Sequence, residues 1–302
     1  MIEFLKEEKV SPELIEAAED FAARYPVNPR DAERIPVPEG HYYGKEIWEQ
    51  ALAALLCGQN LLLSGPKASG KNLLAENLAA VFGRPVWNIS FHINMDAASL
   101  IGTDTFRDGA VSFRQGPVAC CAVEGGFGIL DEVNMAKNEA LAVLHSALDF
   151  RRSVDVPGYD RIPLKEETRF IGTMNYGYAG TRELNEALTS RFAVISMPVI
   201  SGENLERLLK SRFPRLNGRY AGQLVQLFAD IRAKCENGEI SSRPLDLRGL
   251  LDALSLAQRG LDLHSALDMG LTNKSFDPYE QGLVRDMIRG RIPKKLNLWD
   301  GR

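Results

Sequence analysis

Short apolar runs alternate with amphipathic stretches over the first two thirds of the chain. Residues 60–64, 85–90, 127–130, 169–174 and 192–197 are each apolar over a strand's length. Such runs suit strands buried on both faces of a parallel sheet. Helical spacing of apolar residues predicts helices over 47–56, 72–82, 137–148 and 182–189. Strands alternating with helices imply an α/β fold with a mostly parallel, covered sheet. Upstream, residues 1–24 read as a helix, with Ser11-Pro12-Glu13 supplying a cap, a first-turn proline and an acidic N-terminus. Pro26, Pro29, Pro36 and Pro38 then make 25–40 an extended linker. Asp108-Gly109, between the alternating residues of 105–113, is a two-residue hairpin turn.

Beyond Pro198 the strand-like runs stop. Helices are predicted over 203–211, 220–237, 247–259 and 264–271, with turn signals at Asn217-Gly218 and Asn237-Gly238. The expected order is an N-terminal helix and linker (1–35), an α/β domain (36–200), a small all-helical domain (201–291) and a basic, loosely attached tail (292–302). No internal repeat or low-complexity tract interrupts it.

Composition narrows the class. With 302 residues and 45% apolar content the chain can bury a large core, and collagen-like, disulfide-scaffold and disordered classes are excluded. Thirty-six Lys and Arg against 40 Asp and Glu leave a net charge of −4, which argues against a protein that coats nucleic acid. Cys57, Cys120, Cys121 and Cys235 form no C-x-x-C pair and read as small core hydrophobes in a reducing compartment. The four histidines lack metal-ligand spacing. No signal peptide or membrane-length apolar run is seen, so a cytoplasmic protein is expected.

The chemistry-bearing residues lie at strand ends. Residues 61–64 run into Gly65-Pro66-Lys67-Ala68-Ser69-Gly70-Lys71-Asn72 and on into a helix. Backbone N–H groups of such a loop, with the helix N-terminus, cradle phosphates, and the lysine reaches the outer ones. The Ser or Thr that commonly follows this lysine as a magnesium ligand is here Asn72, a weaker and bulkier oxygen donor. Asp131-Glu132 closes the run 127–130, about 60 residues past the loop. An aspartate there holds magnesium through water, and a glutamate can orient or deprotonate an attacking water. Asn175 closes the run 169–174 and can bond the same water and the terminal phosphate.

Loop, acidic pair and strand-end asparagine, in this order and spacing, resemble the AAA+ ATPases. Ser99-Leu100-Ile101-Gly102, the hairpin, Gly116-Pro117-Val118 and Leu130-Asp131-Glu132-Val133-Asn134 narrow the resemblance to the MoxR-like, dynein-related branch, with its insertion in helix 2 of the large domain. It covers about residues 36–260. The resemblance implies an AAA+ P-loop NTPase core followed by a helical lid, with ATP and Mg as ligands. Gly65 to Asn72 and Asp131 would hold the nucleotide, Asn72 and Asp131 facing the metal.

It further implies that Arg191, in Leu188-Thr189-Ser190-Arg191-Phe192, is the arginine finger that reaches a neighbouring subunit's phosphate, with Arg182 a second choice. The plain alternative for Arg191 is a helix C-terminal cap. Arg248 or Arg243 is the second sensor, Arg248 being preferred because Asp246 can cap its helix. His41 or Tyr42 lies where the family's linker crosses the adenine, unless these rings merely anchor the linker. Hairpin 105–113 would face the ring's centre, and a second insertion spans 154–164 around Pro157-Gly158-Tyr159-Asp160.

The function so implied is an ATP-hydrolysing hexameric ring with a chaperone-like role on a protein client, often one with a von Willebrand A-type domain. One alternative is an ATP-binding switch with weak hydrolysis, which Asn72 would favour. Another is a GTP- or ATP-driven subunit acting on nucleic acid, against which the net charge and the sparse basic set Arg107 and Arg114 weigh.

Overall fold

The computed structural model describes residues 1–107, 109–176, 184–293 and 297–300. The chain divides into two units, Met1–Pro66 with Gly70–Met197, and Pro198–Arg302 with Lys67–Ser69.

The first unit opens with two helices where the apolar spacing predicts one. α1 (Ile2–Glu7) and α2 (Pro12–Arg24) are separated because Lys9 turns to a φ of +58° and Pro12 has no N–H to continue a helix. The 25–40 linker is not wholly extended either. Pro29–Arg34 forms a 3₁₀ turn, and the Asn28 side chain accepts the Arg30 N–H at 3.2 Å. α3 (Lys45–Leu56) leads to β1 (Asn60–Ser64), and α4 (Lys71–Val81) leads to β2 (Val86–Ser90).

α5 (Ala97–Ile101) precedes the antiparallel ribbon of β3 (Gly102–Arg107) and β4 (Ala110–Gln115), followed by α6 (Pro117–Glu124) and β5 (Phe127–Asp131). The predicted hairpin is present, although Asp108 in its turn lies outside the described residues. The helix expected over 137–148 is broken into α7 (Asn138–Leu141), a 3₁₀ turn (Ala142–Leu144) and α8 (His145–Leu148). Its backbone stays right-handed, but ψ rises to −31° at Ala142 and −16° at Leu144, the range of the tighter helix. β6 (Ser153–Val154) and β7 (Ile162–Pro163) form the second small hairpin, followed by β8 (Arg169–Met174), α9 (Glu186–Thr189) and β9 (Phe192–Ser196). The start expected for the 182–189 helix lies outside the described residues; the described part begins with Asn185 accepting the Ala187 N–H at 2.8 Å.

Five of these strands make one parallel sheet in the order β2-β5-β8-β1-β9. β1 is buried along its whole length, as its Asn-Leu-Leu-Leu-Ser sequence demands. β8 pairs with β5 on one side (Leu130 beside Gly172) and with β1 on the other (Leu63 beside Thr173). The C-terminal ends of β5, β8 and β1 therefore converge at one sheet edge, where parallel α/β sheets place their ligands.

The second unit is helical throughout its described residues apart from turns and one isolated bridge: α10 (Gly202–Arg212), α11 (Gly218–Glu236), α12 (Leu247–Gln258), α13 (Leu263–Gly270) and α14 (Pro278–Arg291). α12 and α13 touch through glycine. A Cβ on Gly249 would stand 2.0 Å from the Gly270 carbonyl oxygen, so neither position accepts a side chain without parting the helices. α14 escapes the periodicity argument because only Val284 and Ile288 along it are buried. The tail is a correction. Ile292 and Leu298 are buried and Trp299 bridges to Leu216, so apolar residues dock a segment whose basic composition suggests a loose end. Cys57 is a second correction, exposed just past the last turn of α3, whereas Cys121 is buried as expected.

Candidate active site

The loop between β1 and α4 has the backbone of an anion cradle. Ala68 and Gly70 both take left-handed conformations, with φ of +64° and +80°, the kind of turn whose N–H groups gather into a concavity for phosphate. Gly70 is required twice over, since its φ is positive and an added Cβ would lie 3.1 Å from the Tyr42 ring. Lys71, the first residue of α4, is buried, and its Nζ donates to the carbonyls of Gly65 (2.9 Å) and Pro66 (2.8 Å). The ammonium thus folds back over the loop, and the Gly65 N–H donates to the Met174 carbonyl at 3.3 Å, tying loop to β8. Asn72 is exposed in the first turn of α4.

Burial lowers the Lys71 ammonium to about 8, with Asp131 and Glu132 acting in the opposite sense. A phosphate bound at this loop would raise it again, so the protonated form would bind tighter. Affinity is then complete below about pH 8 and falls above it, roughly tenfold for each pH unit at most. We expect the nucleotide Kd to rise about tenfold between about pH 7 and about pH 9. Lys71→Met should bind weakly at both values with a flat profile, which equilibrium titration with a fluorescent nucleotide would read.

The acidic pair is organised from β8. Asp131 ends β5, and its Oδ1 accepts the Thr173 hydroxyl at 2.6 Å. Glu132 follows in a left-handed conformation, φ +54° and ψ +45°, and its N–H donates to Thr173 Oγ1 at 3.1 Å. Asn175 Nδ2 donates to Glu132 Oε1 at 3.2 Å, and Asn134 Nδ2 donates to the Asn175 carbonyl at 2.8 Å. The fold therefore brings Lys71, Asp131, Glu132 and Asn175 to one sheet edge. Thr173 is the participant that motif reading overlooks. Its signal is a polar residue in an apolar run, two places before the strand-end Asn175.

Arg191 stands elsewhere. Its Nη2 lies 3.3 Å from Asp149 Oδ2, and its Nη1 donates to the Ala187 carbonyl at the end of α9. Asp149 also accepts from the Arg151 guanidinium, at 2.8 Å from Nη2, and the Arg151 bond foremost holds its carboxyl well below the usual range. Arg182 lies outside the described residues. In the second unit Arg248 is exposed in the first turn of α12, and Arg243 stacks over Phe276 at 5.9 Å. Asp246 occupies the N-cap position of α12, but its side chain makes no capping bond. Its carboxylate lies 3.8 Å from Lys274 Nζ instead, which corrects the capping argument for Arg248.

His41 and Tyr42 are packed within the first unit. The His41 ring stacks on Phe4 at 4.3 Å, and the buried Tyr42 gives its carbonyl to Trp48 Nε1 (2.8 Å) and its N–H to Asn77 (2.9 Å). The two small hairpins also meet: the Tyr159 hydroxyl donates to Asp104 at 2.6 Å, and its ring packs on Phe113 at 5.1 Å. Among the described residues no helix is long and apolar enough to cross a membrane.

Comparison with known proteins agrees with this layout. A family model for the AAA domain, dynein-related subfamily, matches residues 60–192, from β1 to the first residue of β9. The uncharacterized protein YojN of Bacillus subtilis is 34% identical over 78% of this chain and 79% of its own. The uncharacterized protein SAB1265c of Staphylococcus aureus is 32% identical over 82% of this chain and 97% of its own. A solved structure from Cytophaga hutchinsonii aligns over 98% of this chain and 100% of its own at a TM-score of 0.48 and 16% identity, too slight a likeness to bear on function.

Proposed function

We propose a ring-motor function for this chain, which belongs to the family of YojN and its staphylococcal counterpart and carries an ATP-hydrolysing AAA domain of the dynein-related subfamily. It works as a MoxR-like hexameric ring that couples ATP turnover to remodelling of a protein client. The observation that carries the hydrolytic part of this reading is the bond from Asn175 to Glu132, which joins the acidic pair to a strand end beside the phosphate loop.

In this reading the loop from Gly65 to Gly70 and the N-terminus of α4 bind the phosphates, and Lys71 exchanges the Gly65 and Pro66 carbonyls for phosphate oxygens. Glu132 takes the proton of the attacking water, and Asn175 keeps its carboxylate aimed. Arg191 of one subunit completes its neighbour's site, and Arg248 is the second sensor. The donor set fits a magnesium that arrives with the nucleotide. Asp131 and the Asn72 amide offer hard oxygens, and among the described residues no group of three or more His, Cys, Asp or Glu could hold a metal alone. Bound there, magnesium would neutralise charge on the transferring phosphate.

Specific Mg-ATPase activity should rise with protein concentration in step with mass measured by light scattering, up to a plateau at the ring. Turnover unchanged between monomer and assembly would remove the ring from the mechanism. Negligible turnover with tight ATP binding would favour the switch reading, for which Asn72 speaks. A von Willebrand A-type protein is the client class to seek, by pull-down on a Glu132→Gln chain held in ATP.

A further inference from the structure

Two polar side chains meet the acidic pair at the C-terminal end of β8, Thr173 within the strand and Asn175 one residue past its last, Met174. Asn175 reaches the Glu132 carboxylate. Thr173 does something different. Its hydroxyl donates to Asp131 Oδ1 at 2.6 Å and accepts the Glu132 N–H at 3.1 Å, and the residue is 1% exposed. A buried hydroxyl whose proton is given to a carboxylate and whose lone pair receives an amide has a defined orientation.

Glu132 needs such a hold. The β2–β5 ladder ends at Ser90 and Asp131, and Glu132 then turns into the left-handed region, which a residue with a Cβ enters at a cost unless its surroundings enforce it. Thr173 Oγ1 receives the first N–H beyond the ladder, at the point where the backbone leaves its extended form.

We propose that Thr173 is a positioning residue: its hydroxyl locks the left-handed turn after Asp131 and so aims the Glu132 carboxylate, which Asn175 steadies from its far end. The proposal rests on the reading of Glu132 as the base, and assigns Thr173 no contact with nucleotide.

Thr173→Val removes the hydroxyl at nearly constant shape, and Thr173→Ser restores it. For the valine variant we expect kcat to fall about 10²-fold with the ATP Kd changed less than about twofold, and for the serine variant kcat within about threefold of the original. A second readout needs no turnover. Hydrogen exchange at the Glu132 amide, followed by NMR on the nucleotide-free chain, should be fast in the valine variant and slow in the original and serine chains. Unchanged kcat in Thr173→Val, a protected Glu132 amide in it, or a serine variant as slow as valine would overturn the proposal. If the original chain turns over no ATP, the base reading fails, and the amide exchange alone decides whether Thr173 holds the turn. Thr173→Ala makes the same comparison if valine prevents folding.

Discussion

Glu132→Gln should bind ATP at least as tightly as the original chain and hydrolyse it about 10² to 10⁴ times more slowly. The substitution is close to isosteric. Glutamine keeps a side-chain oxygen for the Asn175 Nδ2 bond, and the Glu132 N–H to Thr173 is untouched, so the left-handed turn and the β5–β8 connection persist. What is lost is a carboxylate able to take a proton. Binding should survive because, in the proposed function, the phosphates are met by the loop and Lys71, not by Glu132, and removal of a negative charge near them favours an anionic ligand. Steady-state phosphate release against equilibrium nucleotide binding separates the two effects. A variant that keeps more than about a tenth of the original kcat would place the base elsewhere.

The largest loss is expected at a residue that lies away from the loop in its own chain. Arg191→Ala should lower kcat by about 10³ or more while the nucleotide Kd stays nearly constant, the signature of a cation that acts on the transition state. In the single chain Arg191 pairs with Asp149 and caps α9. Release from that pair is inexpensive because Asp149 also accepts from Arg151 at 2.8 Å, so no carboxylate is left without a cation when Arg191 departs. Arg191→Lys should rescue little, since an ammonium lacks the flat two-pronged donor of a guanidinium.

The decisive measurement mixes Arg191→Ala with Glu132→Gln, each inactive alone. Sites that pair an intact Glu132 with a neighbour's intact Arg191 arise only in mixed rings, so activity should reappear on mixing. Mixtures as inactive as their components would show that Arg191 does not act across a subunit boundary.

Much of this was readable along the chain because the relevant residues are contiguous. The glycine-bounded loop, the apolar run closed by Asp131-Glu132 and the run closed by Asn175 each declare strand, turn and chemistry within a few residues, and β1, β5 and β8 lie where those runs predict. Breaks in regular helix were harder to see. Lys9, and the tightened turn at Ala142–Leu144, depend on packing that periodicity does not encode. The tail misled in the other direction, because its basic character is a composition and its docking depends on three apolar side chains meeting a surface.

Motif spacing sufficed to name the fold, the phosphate loop and the acidic pair, since each is a local pattern with a local cause. It could not reveal that Thr173 joins Asp131 to Glu132, or that Arg191 pairs with Asp149. These are bonds between residues 41 or 42 apart in the chain. Such contacts exist only once parallel pairing has set β8 beside β5 and β9 beside β1 in one register, and a shift of one residue would turn Thr173 to the opposite face.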